Sequence, residues 1–295
     1  MTIERLYEVV HRGYRSLGRV LVHPAPTLPP VLLVGGAMQR KEGWGRLETA
    51  LHREATVVTV DLPGWGGAGL LPAQFGMGFL ADSLAALLRT AAVGAVHVFG
   101  GSYGSAIAYQ LGLRHPALVR RVALFGALGR IPPAMRPRLT WTIGLLRQGL
   151  CERFAHEVLD AMLNQDPQIS LARRGAVERI LYTVFRALGP LEAAQYEQNT
   201  LRLLAPGRFD LSPPPADVPL LFGVGEHDSF TTVRDCRAFA RACPGSAFVR
   251  LRESDHPVHL RCPDELAGLL QRFFRAQTLD WVPGCHPVEY PAITR

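Results

Sequence analysis

The segment VHVFGGSYGSAIAYQLGLRHP, residues 96–116, decides the fold of this chain. It begins with branched apolar residues, which favour a buried strand, and continues after Gly104 with small and apolar residues that favour a helix. At the junction, Ser102 stands between Gly100 and Gly104. A sharp strand-to-helix turn strains its central residue and leaves no room for side chains two positions away. The segment therefore predicts a serine hydroxyl lifted above the carboxyl end of a strand.

Short apolar segments rich in β-branched residues recur on both sides of this turn and alternate with helical patterns. The alternation predicts an α/β fold with a doubly wound, mostly parallel sheet of about eight strands. Two segments near the start of the chain are expected to pair as an antiparallel hairpin, 6–10 with 17–22. The other predicted strands are 31–34, 56–60, 95–99, 121–125, 218–224 and 247–251.

The alternation stops after the sixth strand, where only helical patterns follow for about 80 residues, much more than a crossover needs. Residues 130–210 are therefore predicted to form a helical cap inserted between strands six and seven. The core is assigned to 1–129 and 211–276, with 209–219 as an extended return segment. Residues 277–295 are rich in proline and are predicted to form an irregular tail.

The composition limits the possible partners and the compartment. The net charge is +7, but Lys41 is the only lysine and the arginines are scattered, so we expect no nucleic-acid partner. The five cysteines include no Cys-x-x-Cys pair, which argues against a disulfide framework or a structural zinc site. We expect no signal peptide and no membrane span, because no long apolar run is present. A cytoplasmic location is predicted.

A nucleophilic serine requires a base, and the base requires an orienting group. His256 lies in a loop after the last predicted strand, and Asp228 follows the preceding strand. The chain order Ser102, Asp228, His256 is the order used with this type of turn, and all three belong at one edge of the sheet. Asp255 as the orienting group and His259 as the base remain alternatives.

Several motifs in this order resemble the α/β-hydrolase superfamily: VLLVGGAMQRKEGW (31–44), DLPGWGG (61–67), the segment around Ser102, GEHD (225–228) and DHPVHLRCPDELAGLLQRFF (255–274). The resemblance covers nearly the whole core. It implies that Ser102 is the nucleophile, His256 the base and Asp228 the acid. It also implies an oxyanion hole formed by the backbone amides of Ala37 and Tyr103, and a structural role for Asp61 in a turn.

The chain departs from the superfamily pattern at four positions. Gly35 replaces the usual histidine of the oxyanion loop, and Ser105 stands where glycine is common. Asp255 replaces the usual glycine before the histidine, where it is expected to raise the pKa of His256 or to point to solvent. Arg261 replaces a common acidic residue. Each departure leaves the three predicted catalytic residues in place.

Two patterns suggest cofactors and are not supported by their context. The segment GWGGAG (64–69), with Asp82 downstream, fits a dinucleotide-binding motif, but Pro72 and nearby glycines block the helix that the motif requires. His256 and His259 lack the glutamate and the third ligand of a zinc site. We therefore expect no cofactor and no metal.

The expected function is hydrolysis of an ester or thioester of a small molecule through an acyl-enzyme. Met38, Gln39, Phe230 and Trp141 are predicted to line an apolar substrate pocket. The sequence GGSYGS is also similar to the elbow of prolyl iminopeptidases, but the oxyanion loop and the DLPGWGG turn differ from theirs. A cyclase, C–C lyase or acyltransferase with a similar triad is the main alternative, and a ligand receptor on this fold is a further one.

Overall fold

Eight strands form one sheet in the residues that the computed structural model describes, 3–205 and 218–291. The strands are β1 (Ile3–His11), β2 (Tyr14–Val22), β3 (Val31–Val34), β4 (Val57–Asp61), β5 (Val96–Gly101), β6 (Val119–Phe125), β7 (Leu220–Gly225) and β8 (Ala247–Leu251). They lie in the order β1-β2-β4-β3-β5-β6-β7-β8. Strand β2 is antiparallel to both β1 and β4, and the other neighbours are parallel. The predicted sheet and its amino-terminal hairpin are confirmed.

Helices cover both faces of this sheet. They are α1 (Gly45–His52), α2 (Met77–Ala91), α3 (Tyr103–Arg114), α4 (Arg136–Arg147), α5 (Cys151–Met162), α6 (Arg174–Arg186), α7 (Pro190–Leu204), α8 (Val233–Arg241), α9 (Val258–Arg261) and α10 (Pro263–Phe274). The apolar sides of α2, α3 and α8 pack on one face, and those of α1 and α10 on the other. Because both faces are covered, β3 and β4 are buried along their whole length, as their continuous apolar sequence predicts.

Helices α4–α7 lie between β6 and β7, at the position of the predicted insertion; we call residues 136–204 the cap. The cap has an apolar cluster of its own, centred on Phe154, Phe185 and Tyr196, which meets the core at Met38 and Trp65. The boundary predicted at 210/211 and most of the predicted return segment lie outside the described residues. In the described part of the chain, no helix combines the length and the apolarity that a membrane crossing requires.

The described part of the tail, residues 277–291, is more ordered than its prolines indicate. Isolated antiparallel bridges join Cys285 to Leu251 and Glu289 to Phe248 of β8. The Glu289 carboxylate also accepts two hydrogen bonds from Arg237, at 2.7 and 2.8 Å. The described tail therefore covers the free edge of β8 without forming a regular strand.

Candidate active site

The backbone of Ser102 is strained, and the glycines around it explain how the strain is accommodated. Ser102 connects β5 to α3 with φ 50° and ψ −120°, a combination that few non-glycine residues adopt. A Cβ added to Gly104 would lie 2.3 Å from the Val34 carbonyl oxygen, and one on Gly100 would lie 2.6 Å from the Ala108 Cβ. The motif predicted from residues 96–116 is thus a sterically required turn.

The three predicted catalytic side chains meet at the carboxyl ends of the strands. His256 Nε2 lies 2.9 Å from Ser102 Oγ, and His256 Nδ1 lies 2.9 Å from Asp228 Oδ2. The imidazole side chain is 3% exposed and the Asp228 side chain 1%. One continuous hydrogen-bonded chain therefore runs from a buried carboxylate to the hydroxyl.

Thr231 is a part of this arrangement that the sequence analysis missed. Its hydroxyl donates to Asp228 Oδ2 at 2.7 Å and lies 3.1 Å from His256 Nδ1. The backbone amides of Phe230 and Thr231 donate to the other carboxylate oxygen, at 2.9 and 2.7 Å. An aspartate followed by hydroxyl residues in a loop is a known pattern for such local bonds, and DSFTT (228–232) carries it. These bonds fix the carboxylate that faces His256.

The loop after β3 brings backbone amides close to the serine. A Cβ on Gly36 would lie only 3.3 Å from the Ser102 Cβ, so the loop passes directly beside Ser102. Ala37 and Tyr103 both line the cavity there. Tyr103 is the first residue of α3, where an amide has no partner within the helix. Neither amide donates a hydrogen bond to a residue in 3–205 or 218–291, so both are available to a ligand oxygen.

The side chain of Gln39 supports the loop in which Gly35 replaces the usual histidine. Its side-chain oxygen accepts a hydrogen bond from the Gly36 amide at 3.4 Å, and its nitrogen donates to the Gly43 carbonyl at 3.3 Å. A Cβ on Gly35 would lie 3.1 Å from the Gln39 Cβ. Gln39 thus supports the loop from the space next to Gly35.

The expectation that Asp255 points to solvent is wrong. Its carboxylate is fully buried and accepts two hydrogen bonds of 2.7 Å from Arg261. The same carboxylate accepts a hydrogen bond of 3.1 Å from the backbone amide of Asn164 in the cap. Asp255 and Arg261, which both differ from the superfamily pattern, therefore form one buried ion pair. Asp228, and not Asp255, is the carboxylate in contact with His256.

A buried arginine of α7 joins the cap to Tyr103, the residue that follows Ser102. Arg202 Nη1 donates to the Tyr103 hydroxyl at 2.7 Å, and its other nitrogens donate to the carbonyl oxygens of Leu71, Pro72 and Phe75. The Tyr103 hydroxyl in turn donates to Asn199 Oδ1 at 3.2 Å. This network anchors α7 to the core. The sequence offered no signal for it, because its members are far apart in the chain.

The glycines of the GWGGAG segment form a turn around Asp61. Residues Gly66–Ala68 make a single 3₁₀ turn, and the next helix, α2, begins only at Met77. The Asp61 carboxylate accepts hydrogen bonds from the amides of Lys41 at 2.8 Å and Gly67 at 3.2 Å. A Cβ on Gly66, which has φ 53°, would lie 2.5 Å from the Asp61 Cγ. The glycines thus give the Asp61 carboxylate room to approach the backbone.

His259 lines the cavity three residues beyond His256, with its ring centroid 5.6 Å from that of Trp44. Burial and, to a lesser degree, the proximity of His256 lower the pKa of His259 to about 4. The Ser102 hydroxyl is bonded to His256 instead. Within the described ranges, no group of three or more histidine, cysteine, aspartate or glutamate side chains is arranged to hold a metal ion.

A cavity of about 720 Å³ lies above the serine, between the core and the cap, and its wall is mostly apolar. Met38, Gln39 and Phe230 line it, and the Phe230 ring packs edge-on against His256 with centroids 5.1 Å apart. The expectation for Trp141 is wrong, because that side chain does not line the cavity. It is 44% exposed and lies under the Arg153 guanidinium at 5.2 Å. Helix α4 turns other residues toward the cavity, Leu139 and Thr142 among them.

A family model described as the alpha/beta hydrolase fold matches residues 29–261. The chain belongs to the α/β-hydrolase fold family. This membership confirms the superfamily that the motifs resembled and supports the expected enzyme class, a hydrolase of this fold.

Similarity to individual members of the α/β-hydrolase fold family is partial. An uncharacterized protein of Mycobacterium tuberculosis is 29% identical over 123 residues, which are 42% of this chain and 35% of that protein. The chain thus matches about a third of the length of such curated relatives. A poly(3-hydroxyalkanoate) depolymerase of Ectopseudomonas oleovorans is 25% identical over 195 residues, 62% of this chain and 69% of the depolymerase. The crystal structure of an enol-lactonase from Burkholderia xenovorans superimposes with a TM-score of 0.76 at 22% identity, covering 92% of this chain and all of the lactonase. This structural likeness shows the shared fold.

Proposed function

We propose that this chain is a serine hydrolase that cleaves an ester or thioester of a small, largely apolar molecule. The observation that carries the proposal is the bonded chain Asp228–His256–Ser102 beneath an apolar cavity, with each of its two links at 2.9 Å. A hydroxyl bonded to an imidazole, which is itself oriented by a buried carboxylate, is the arrangement that activates serine for attack on a carbonyl.

The geometry supports a reaction in two halves. Ser102 Oγ attacks the substrate carbonyl carbon while His256 Nε2 takes the hydroxyl proton, and Asp228 stabilises the resulting imidazolium. The amides of Ala37 and Tyr103 donate to the oxyanion. The carbon–oxygen or carbon–sulfur bond then breaks, the proton of His256 passes to the leaving group, and an acyl-serine remains. Water, deprotonated by His256, releases the acid and restores the hydroxyl.

The cavity wall supports an uncharged substrate. The charged side chains that line it are all in ion pairs, Arg40 with Glu192 at 2.6 Å, Arg138 with Glu157 at 3.8 Å and Glu42 with Lys41 at 2.6 Å. An apolar wall of this kind favours a ligand by removing its hydrocarbon surface from water. A volume of about 720 Å³ suits a small molecule with an acyl chain of several carbons.

Hydrolysis of p-nitrophenyl acetate, hexanoate and decanoate, and of matching thioesters of N-acetylcysteamine, tests this proposal. We expect kcat/KM to rise at least about tenfold from acetate to hexanoate, because each buried methylene stabilises the complex by about 0.8 kcal/mol. If the acyl-serine accumulates, we expect a rapid initial release of one p-nitrophenol per protein molecule before the slower steady-state rate.

Two variants make the test specific. Ser102→Ala should lower the rate by at least about a thousandfold, whereas Ser170→Ala, which removes a serine on the exposed surface, should leave it unchanged. The proposal fails if no ester or thioester is turned over above background, or if Ser102→Ala keeps the activity of the unmodified chain.

A further inference from the structure

Most polar side chains in the cavity wall are already bonded to neighbours. Gln39 bonds the oxyanion loop, the Tyr103 hydroxyl accepts from Arg202, and the hydroxyls of Thr142 and Tyr196 lie 2.8 Å apart. The charged residues of the wall are paired with each other, apart from Glu42, which pairs with Lys41 at 2.6 Å. These groups therefore hold the protein together and have little left to offer a substrate.

His259 is the exception among the lining residues that the structure describes. Its ring is fixed against Trp44 and faces the cavity, yet neither ring nitrogen forms a hydrogen bond with a described residue. Because this ring lines the cavity without a described hydrogen-bond partner, a ligand can bond to it without displacing a contact within the protein. Among the residues that the structure describes, His259 is thus the polar side chain of the cavity wall whose hydrogen-bonding capacity is unused.

The chemistry of His259 defines what it can bind. Its pKa of about 4 keeps the imidazole uncharged near neutral pH. A neutral imidazole has one N–H donor and one acceptor nitrogen, so it can donate to a carbonyl oxygen or exchange bonds with a hydroxyl. A carboxylate on the substrate would find no cation here, because the arginines of the wall are paired with glutamates.

The position of His259 places its ligand near the reacting bond. It lies three residues from His256, within electrostatic reach of that imidazole, in the short helix α9 that follows the loop carrying His256. It takes no part in the proton transfer, because Ser102 Oγ is bonded to His256 Nε2. His259 is therefore placed to recognise a group on the substrate close to the scissile carbonyl.

We propose that His259 is a specificity-determining residue that hydrogen-bonds a neutral oxygen, a hydroxyl or a keto group, on the acyl part of the substrate. The substrate class is then an oxygenated acyl ester and not a plain alkyl ester. This inference rests on the proposed ester hydrolysis.

The test compares p-nitrophenyl hexanoate with its 2-hydroxy, 3-hydroxy and 5-oxo analogues, which keep the same chain length. We expect the unmodified chain to prefer at least one oxygenated ester in kcat/KM, and His259→Leu to reduce that preference about tenfold, the effect of one neutral hydrogen bond in a buried site. His259→Leu should lower kcat/KM for the preferred oxygenated ester more than for plain hexanoate, because the plain ester lacks the oxygen that His259 would bond. His259→Gln, which keeps a donor and an acceptor, should retain part of the preference.

The outcomes separate this inference from the proposed function. Hydrolysis of all four esters at equal rates, with normal labelling of Ser102 by a fluorophosphonate, would overturn the role of His259 alone. An equal loss on plain and oxygenated esters in a folded His259→Leu variant would also overturn it, since that result indicates a structural or catalytic role. Failure of the unmodified chain to hydrolyse any ester or thioester would reject the proposed function and this inference with it.

Discussion

Replacing Asp255 by Asn should destabilise the protein strongly. The carboxylate of Asp255 and the guanidinium of Arg261 are both fully buried and joined by two bonds of 2.7 Å. Asparagine keeps the shape of the side chain and can still accept from the Asn164 amide, but it removes the negative charge. The Arg261 guanidinium is then left in the interior without a counter-charge.

The burial of both charges determines how much unfolding free energy the substitution should cost. Breaking a buried pair by removing one partner costs about 3–5 kcal/mol of unfolding free energy, because the remaining charge is not compensated. Arg261→Gln should cost a similar amount, since it leaves Asp255 unpaired. The double variant Asp255→Asn/Arg261→Gln removes both charges, so its cost should fall below the sum of the two single costs by about 2 kcal/mol or more.

Urea unfolding of the unmodified chain, both single variants and the double variant completes this cycle. Asp264→Asn is a matched control, because it removes the carboxylate of an exposed ion pair with Arg46 in which both side chains are about 60% exposed. The control should cost less than about 1 kcal/mol. Additive costs around the cycle, or an Asp255→Asn cost no larger than that of the control, would refute the reasoning.

Three further predictions follow from single side chains. His97 is buried against Phe274, and burial lowers its pKa to about 4, so below pH 6.5 the unfolded chain binds a proton at His97 more readily than the folded chain does. Between pH 7 and pH 5 the unmodified protein should therefore lose about 1–2 kcal/mol more unfolding free energy than His97→Leu. Urea unfolding measures both losses, and equal losses would contradict this prediction. Tyr103→Phe removes the hydroxyl bonded to Arg202 and keeps the backbone amide, so it should lower the unfolding free energy by about 1–3 kcal/mol. The rate of fluorophosphonate labelling should change less than threefold, and a large loss of labelling would contradict this prediction. Trp141→Ala should change kcat/KM for p-nitrophenyl hexanoate less than about twofold, because this side chain lies outside the cavity, and a large drop would contradict that placement.

The sheet and the meeting of Ser102, Asp228 and His256 could be predicted from the sequence because each depends on local patterns. Continuous apolar segments mark the buried strands, and the glycines at 100 and 104 are dictated by atoms only a few residues or one strand away. Asp228 and His256 follow strand ends, and the ends of parallel strands converge at one edge. Chain order and strand position were therefore sufficient to bring them together.

Features that depend on packing between distant segments could not be predicted. Asp255 and Arg261 look like two separate departures in the sequence, and only the fold joins them into one pair. Trp141 is apolar and lies in the cap, but which side of α4 faces the cavity depends on how the cap docks. The tail contacts β8 through backbone bonds that its prolines interrupt, so no strand pattern appears in its sequence.

The most direct test of the central claim, that Ser102 is an activated nucleophile, is intact-mass measurement after treatment with a fluorophosphonate. The unmodified chain and Ser170→Ala should each gain one adduct, Ser102→Ala should gain none, and His256→Ala should react far more slowly because the base is missing. The absence of an adduct on the folded, unmodified chain, or an adduct that persists in Ser102→Ala, would contradict the claim.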